Sequence, residues 1–143
     1  MNLDMDANPV KVVLDTNILI PAIAFGGKPQ EVLNLVLEEK IIVFISPILL
    51  AEFKEIYRKK FPLSKEDFEL TIKNIEELFE IIQPIKTLGV CRDEYDNRVL
   101  EAALEGKCSY IITGDKDLLD LGSFKNIEIL TTEQFLQIQD SGG

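Results

Sequence analysis

The sequence predicts an α/β fold of three layers, with a central parallel sheet of about five strands covered by helices on both faces. Three observations carry that expectation. Short apolar runs rich in β-branched residues recur at Val10–Leu14, 41–46, 81–85, 110–113 and Ile127–Leu130. Longer stretches with apolar residues at helical spacing lie between them. The two signals alternate, and strands joined through helices pair in parallel.

Each element has its own local cause. Residues 1–9, "MNLDMDANP", read as a flexible acidic tail, neither a secretory signal nor an Arg-rich transit peptide. The first strand stops on a carboxylate, in "KVVLDTNILI": Asp15, Thr16 and Asn17 interrupt an apolar run that resumes at Ile18. A helix over 29–39 carries Val32, Leu33, Val36 and Leu37 on one face. Ser46 as N-cap and Pro47 at the first helical position open a helix to Lys60. Ser64, with Asp67 completing a capping box, opens a long amphipathic helix to about residue 80. Asp93 opens another, which Gly106 ends. Thr131 opens the last, and residues 140–143, "DSGG", read as a frayed end. One domain over 10–139 is the expectation, as 143 residues suit.

Composition restricts the chemistry. Hydrophobic residues make up 46%, enough for a core. No apolar run approaches the roughly 18 residues of a membrane span, so a cytoplasmic protein with no membrane partner is expected. There is no histidine, which excludes Ser-His-Asp and Cys-His nucleophilic sites and histidine-bound zinc. Cys91 and Cys108 fit reduced thiols better than a disulfide framework. A net charge of −10 by itself argues against nucleic acid as a partner. Chemistry must run on carboxylates, hydroxyls, amides, Lys and Arg.

Four acids stand out. Asp15 and Asp115 end strands, and parallel sheets bind ligands beyond the carboxyl ends of their strands. Glu52 falls between Ile48 and Ile56 in what reads as the apolar stripe of its helix, where a carboxylate needs a partner. Asp96 heads a stripe with Val99, Leu100 and Ala103. Each alone could be a turn residue, a cap or a solvated side chain, and Asp96 could complete a capping box with Asp93. Together their positions point to one pocket, with Asp93 and Asp117 as auxiliaries. Two carboxylates about 4 Å apart repel by about 4 kcal/mol at an effective dielectric near 20. A hard, oxygen-seeking cation, Mg2+ or Mn2+, is the compensation expected. Such a site suits metal-assisted phosphodiester hydrolysis, which needs no histidine base.

Four segments carry a family likeness. "VVLDTNILI", "SPILLAEF", "CRDEYDNRVLEAA" and "YIITGDKDLL" resemble, in order, the motifs of PIN-domain ribonucleases, over about residues 10–136. The resemblance is to the bacterial and archaeal group of toxin components related to VapC toxins. It implies a parallel sheet flanked by helices and an acidic Mg2+/Mn2+ pocket that hydrolyses single-stranded RNA. By motif match Asp15 is the central metal ligand, Glu52 and Asp96 the next acids and Asp115 the fourth, with Asp117 as a further metal position. Thr16 or Asn17 would orient Asp15, and Asp93 and Thr113 would support the set. An antitoxin protein and a homodimer are the implied partners. The acidic tail departs from the family pattern.

The acidic balance has a partial answer. Two divalent ions would neutralise four negatives, and Lys54, Arg58, Lys59 and Lys60 form a basic cluster on the helix carrying Glu52. That cluster reads either as a solvated face or as a guide for an RNA backbone. An apolar face with Phe68, Ile72, Ile75, Leu78 and Phe79 should pack partly inward, any surplus serving a two-fold dimer. Rival readings remain. A haloacid-dehalogenase-type phosphatase would want Asp at position 17, which is Asn. A receiver-like signalling domain would want paired acids near the first strand. A non-catalytic PIN-like binding scaffold would lack one or more of the four acids.

Overall fold

The structure is a computed structural model that describes residues 8–142, so most of the tail expected over 1–9 lies outside the described residues. Six strands form one sheet: β1 (Val10–Leu14), β2 (Ile41–Ile45), β3 (Glu80–Ile81), β4 (Tyr110–Ile112), β5 (Ser123–Phe124) and β6 (Ile127–Leu130). Their order is β3-β2-β1-β4-β6-β5. All neighbours run parallel except β5 and β6, which pair antiparallel. The five expected strands are therefore present, and a two-residue strand is added at the edge. Flanking helices are α1 (Thr16–Ala24), α2 (Gly27–Leu37), α3 (Pro47–Lys60), α4 (Lys65–Leu78), α5 (Glu94–Glu105), α6 (Lys116–Leu121) and α7 (Thr132–Gly142).

β1 is the axis of the fold. Val12 and Val13 are fully buried, as a strand covered on both faces requires. The chain leaves β1 for β2 on one side and later returns to β4 on the other. The carboxyl ends of β1 and β4 therefore flank the point where the winding reverses, where open parallel sheets leave a crevice.

Several boundaries differ from the sequence expectation, each for a local reason. The third strand, expected over 81–85, is only Glu80–Ile81. Ile82 N–H still donates to Ile45 O at 2.9 Å, but Pro84 has no N–H to continue the ladder. The helix expected over 29–39 starts at Gly27, after a turn made by Gly26 at φ 81, and ends at Leu37. Glu39, at φ 60, takes the left-handed conformation that stops it. Ser46 caps α3 and Ser64 caps α4 as expected, with Ser64 Oγ accepting from Asp67 N–H at 3.1 Å. Asp67 takes part in the expected capping box only through its backbone N–H. At the other end α7 continues to Gly142, so residues 140–142 of the expected frayed end are helical, and Gly143 lies outside the described residues. The apolar face of α4 turns mainly inward: Ile72, Ile75 and Phe79 are buried in the core.

The stretch between β3 and α5 lacks regular structure but is tied to one face of α5. Asn97, fully buried, accepts from Cys91 N–H at 2.7 Å and donates to Cys91 O at 2.9 Å. One turn on, Glu101 accepts from Leu88 N–H at 2.8 Å and pairs with Arg98 at 2.9 Å, which itself donates to Leu88 O. A further turn on, Glu105 accepts from Ile85 N–H. Positions 97, 101 and 105 thus do with side chains what a sheet partner does elsewhere. Asn97→Ala should lose about 2 kcal/mol in urea unfolding, because a part-buried N–H and C=O at Cys91 are left unpartnered. Equal stability of this variant and wild type would show that the strap carries no load.

Candidate active site

Asp15 ends β1 and is the N-cap of α1, a junction that buries it to 2% exposure. Its carboxylate is held from three sides. Thr113, the residue after β4, donates its hydroxyl to Oδ2 at 2.6 Å. Tyr95, in the first turn of α5, donates its hydroxyl to Oδ1 at 2.8 Å. Asn17 N–H donates to Oδ1 at 3.4 Å. The Tyr95 oxygen also accepts from Thr16 N–H at 3.0 Å and lies 2.7 Å from the Thr16 hydroxyl. Its one proton being committed to Asp15, Thr16 is the donor in that pair. Burial raises the Asp15 carboxyl above its ordinary value, against the hydrogen bonds from Thr113, Tyr95 and Asn17; the charge on Asp115 adds to the rise.

The other acids arrive from helix starts. Asp115 caps α6, its Oδ2 accepting from Leu118 N–H at 3.0 Å, and its own N–H donates to the Thr113 hydroxyl at 2.9 Å. Asp93 caps α5 by accepting from Tyr95 N–H at 3.0 Å. Each of these two, like Asp15, is the cap that its position suggests and also lines the same cleft. Asp96 differs. It is buried to 2% exposure and heads the stripe Val99, Leu100, Ala103, all fully buried. Its Oδ2 is buried with no hydrogen-bond partner. Burial, then the charges of Asp115, Asp93 and Asp15, push its carboxyl up to about 7.

These groups share a cleft of about 380 Å³ lined by Asp15, Glu52, Asp93, Asp96, Asp115 and Lys60, among others. Glu52 reaches it by a different route from the one the sequence suggested. Ile48 is exposed, and the buried side of α3 is Leu49, Leu50, Phe53 and Tyr57. Glu52 is half-buried at the edge of that side and shares its helix face with Ile56 and Lys60 over the cleft. Asp117 does not line the cleft; it faces outward to Arg92 at 3.2 Å. Carboxylate oxygens of Asp96, Asp115 and Asp117 nevertheless lie within 4.8 Å of one another. Asn17 lines the cleft, and its side-chain oxygen accepts from Gly114 N–H at 3.4 Å. Of the basic cluster only Lys60 lines the cleft; Lys59 pairs with Glu55 and Arg58 stacks over the Phe68 ring.

The donor set fits a hard divalent cation. All candidate donors are carboxylate oxygens, three of them within 4.8 Å, and one buried oxygen has no proton donor. Asp96 and Asp115 would hold such an ion, with Asp15, which lines the same cleft, and Asp117, which lies near the pair, as further candidates. Tyr95 is the residue the sequence reading missed. Its signal was present: a tyrosine between two acids in the first turn of a helix whose buried face begins there.

Comparison with known proteins bears on the family and the fold. The family model described as PIN domain matches residues 11–117. The uncharacterized protein MJ1680 of Methanocaldococcus jannaschii is 41% identical over 122 residues, covering 82% of this chain and 78% of that protein. Two solved structures are similar in fold. One is the crystal structure of VapBC2 from Rickettsia felis bound to a DNA fragment from their promoter, with a TM-score of 0.62 at 18% identity, covering 84% of this chain and 97% of that one. The other is PAE2754 from Pyrobaculum aerophilum, with a TM-score of 0.59 at 16% identity, covering 98% and 96%.

Crowding of carboxylates predicts a pH-dependent strain in the metal-free protein. Folded Asp96 takes up its proton near pH 7, the unfolded chain only near 3.8. The folded state therefore binds more protons between these values, and Asp96 contributes stability that grows as pH falls through about 7 and is lost above it. In EDTA at about pH 8, Asp96→Asn should melt about 5 °C above wild type, with the gap closing toward about pH 5. Asp115→Asn should shift the same way by less, since Asn keeps the cap but loses the negative charge that favours the start of α6. Variants that melt below wild type at every pH would mean that these acids do not repel one another.

Proposed function

The chain belongs to the PIN-domain family, and from that premise we propose that it is a divalent-metal-dependent nuclease that hydrolyses phosphodiester bonds in single-stranded RNA. The observation that carries the reading is the convergence of Asp15, Asp96 and Asp115 beyond β1 and β4, with one buried oxygen of Asp96 unpartnered. An Mg2+ or Mn2+ ion, when bound, supplies charge neutralisation for the phosphate and an activated water.

The chain's own residues do the rest. Thr113 and Tyr95 fix the Asp15 carboxylate, so no rotamer search is needed when substrate arrives. Asp96 and Asp115 complete the acidic wall. Glu52 lines the same cleft from α3. Lys60 offers the cleft's only lysine or arginine among the described residues for a neighbouring phosphate. Hydrolysis of this type adds water oxygen to phosphorus and releases the 3′-oxygen, leaving a 5′-phosphate and a 3′-hydroxyl.

We infer further that the chain is the toxin of a toxin–antitoxin pair. The fold likeness to VapBC2 supports this, as does a cleft of five carboxylates complementary to a basic protein segment. A homodimer fits the same reading. Co-purification of a short basic protein, and light scattering of the free chain, test these two assignments.

The central test is substitution of the anchored acid. Asp15→Asn should leave the circular dichroism spectrum unchanged and reduce RNA cleavage in Mn2+ by more than about a hundredfold, the upper end for residues that merely support a metal ligand. EDTA should do the same to wild type, and Mn2+ should restore it. Products should carry 5′-phosphates; 2′,3′-cyclic phosphates would instead mean attack by the ribose hydroxyl.

A further inference from the structure

Beside the acidic cleft lies a second depression that the metal chemistry does not use. It has a volume of about 400 Å³ and is lined by Asn17, Ile20, Pro21, Phe25, Lys60 and Phe61. Three of these, Asn17, Ile20 and Lys60, also line the acidic cleft, so the two are continuous. Phe25 is 76% exposed, the most exposed aromatic ring noted in the protein. It caps the end of α1, directly before the turn at Gly26 and Gly27, and its ring lies 5.9 Å from that of Phe61. Phe61 in turn leans on Tyr57 at 5.1 Å, so the exposed ring stands on an aromatic base anchored in the core. Lys60 makes no ion pair among the described residues, unlike Lys59 beside it.

An exposed phenylalanine beside a free ammonium group, at the mouth of an acidic cleft, is poorly explained by folding. Phe25 shares its depression with Ile20, Pro21 and Phe61, so its ring belongs to an apolar patch and is not a lone exposed side chain. The pairing matches what single-stranded nucleic acids require: a flat apolar face for a base and a cation for the backbone. We propose that Phe25, backed by Phe61, is a stacking platform for the unpaired base next to the scissile phosphate, with Lys60 holding the intervening phosphate. The proposal rests on the nuclease reading above and gives its single-stranded substrate a structural reason. The substrate must be unpaired on one side of the cleaved bond, because a base held in a duplex stack cannot lie on the ring. It also accounts for a −10 chain engaging RNA: stacking supplies affinity that cationic contacts here do not.

Two variants and two substrates test this. Phe25 is exposed, so Phe25→Ala should fold as wild type does. With Mn2+ present, Phe25→Ala should raise KM for a short single-stranded oligoribonucleotide about tenfold, the scale set by base–aromatic stacking. Phe25→Trp should restore it. Cleavage of the same oligoribonucleotide with an abasic residue beside the mapped cleavage site, which leaves no base to stack, should be unchanged in both. An unchanged KM for the oligonucleotide, or an equal loss on both substrates, overturns the platform. If wild type cleaves neither substrate, the nuclease reading has failed on its own account. Anisotropy of the same labelled oligonucleotide in Mg2+ then decides the platform separately: about tenfold weaker binding by Phe25→Ala supports it, and equal binding overturns it. Light scattering of both proteins is the control. A dimer that Phe25→Ala converts to monomer assigns the ring to a second copy of this chain and overturns the proposal.

Discussion

The Asp15 carboxylate is the point on which the site depends. It lies at the end of the central strand, yet its hydrogen bonds reach Thr113 beyond β4 and Tyr95 on α5. One buried side chain thereby fixes two strands and a helix to a common origin. Thr113 extends the link, because its hydroxyl also accepts from Asp115 N–H and so sets where α6 begins. Tyr95 extends it the other way, since it satisfies Thr16 N–H at the start of α1. The distances among the acids follow from these bonds and not from any attraction between the acids.

Acidic groups this close require compensation, and the fold supplies it unevenly. Asp15, Asp93 and Asp115 each cap a helix, where backbone N–H groups and the helix dipole favour negative charge. Asp96 also sits in a first turn, but its Oδ2 receives no donor. Stability alone would favour an amide or an alanine there. The proposed metal-binding role accounts for an acid placed where it costs stability. The strap over residues 82–93 has a related role: by holding Cys91 to Asn97 it fixes the approach of the chain to Asp93 and so the start of α5.

Much of this was readable from the sequence because the signals were local. Ser46 and Pro47 placed α3 to the residue, and the alternation of β-branched runs with helical stretches gave the parallel sheet. Asp15, Asp96 and Asp115 were legible because a strand end and an apolar helix stripe are positions where a carboxylate is unexpected. The choice between cap and site, which the sequence leaves open, turns out to be no choice for Asp15, Asp93 and Asp115, which are caps that line the cleft. What was not legible depends on contacts between distant segments. Helix α1 hides in a continuous apolar run interrupted by Pro21, with no amphipathic period to announce it. The third strand was overlong because Ile81, Ile82 and Ile85 fit a strand until Pro84 and the clasp from α5 are considered. Tyr95 speaks to Asp15 across 80 positions, which no periodicity reports. Glu52 was found, but its stated reason depended on Ile48 being buried, and Ile48 is exposed.

All of these features have one cause if the cleft is built around a cation held by carboxylate oxygens. Crystals grown without metal and soaked in Mn2+ would show it directly, in an anomalous difference map collected near the manganese edge. The account predicts a peak within coordinating distance of Asp96 Oδ2 and an oxygen of Asp115, on the side of the cleft toward Asp15, with the hydrogen bonds from Thr113 and Tyr95 to Asp15 intact. A map with no peak in the cleft at saturating Mn2+, or with manganese only on surface carboxylates, would contradict it.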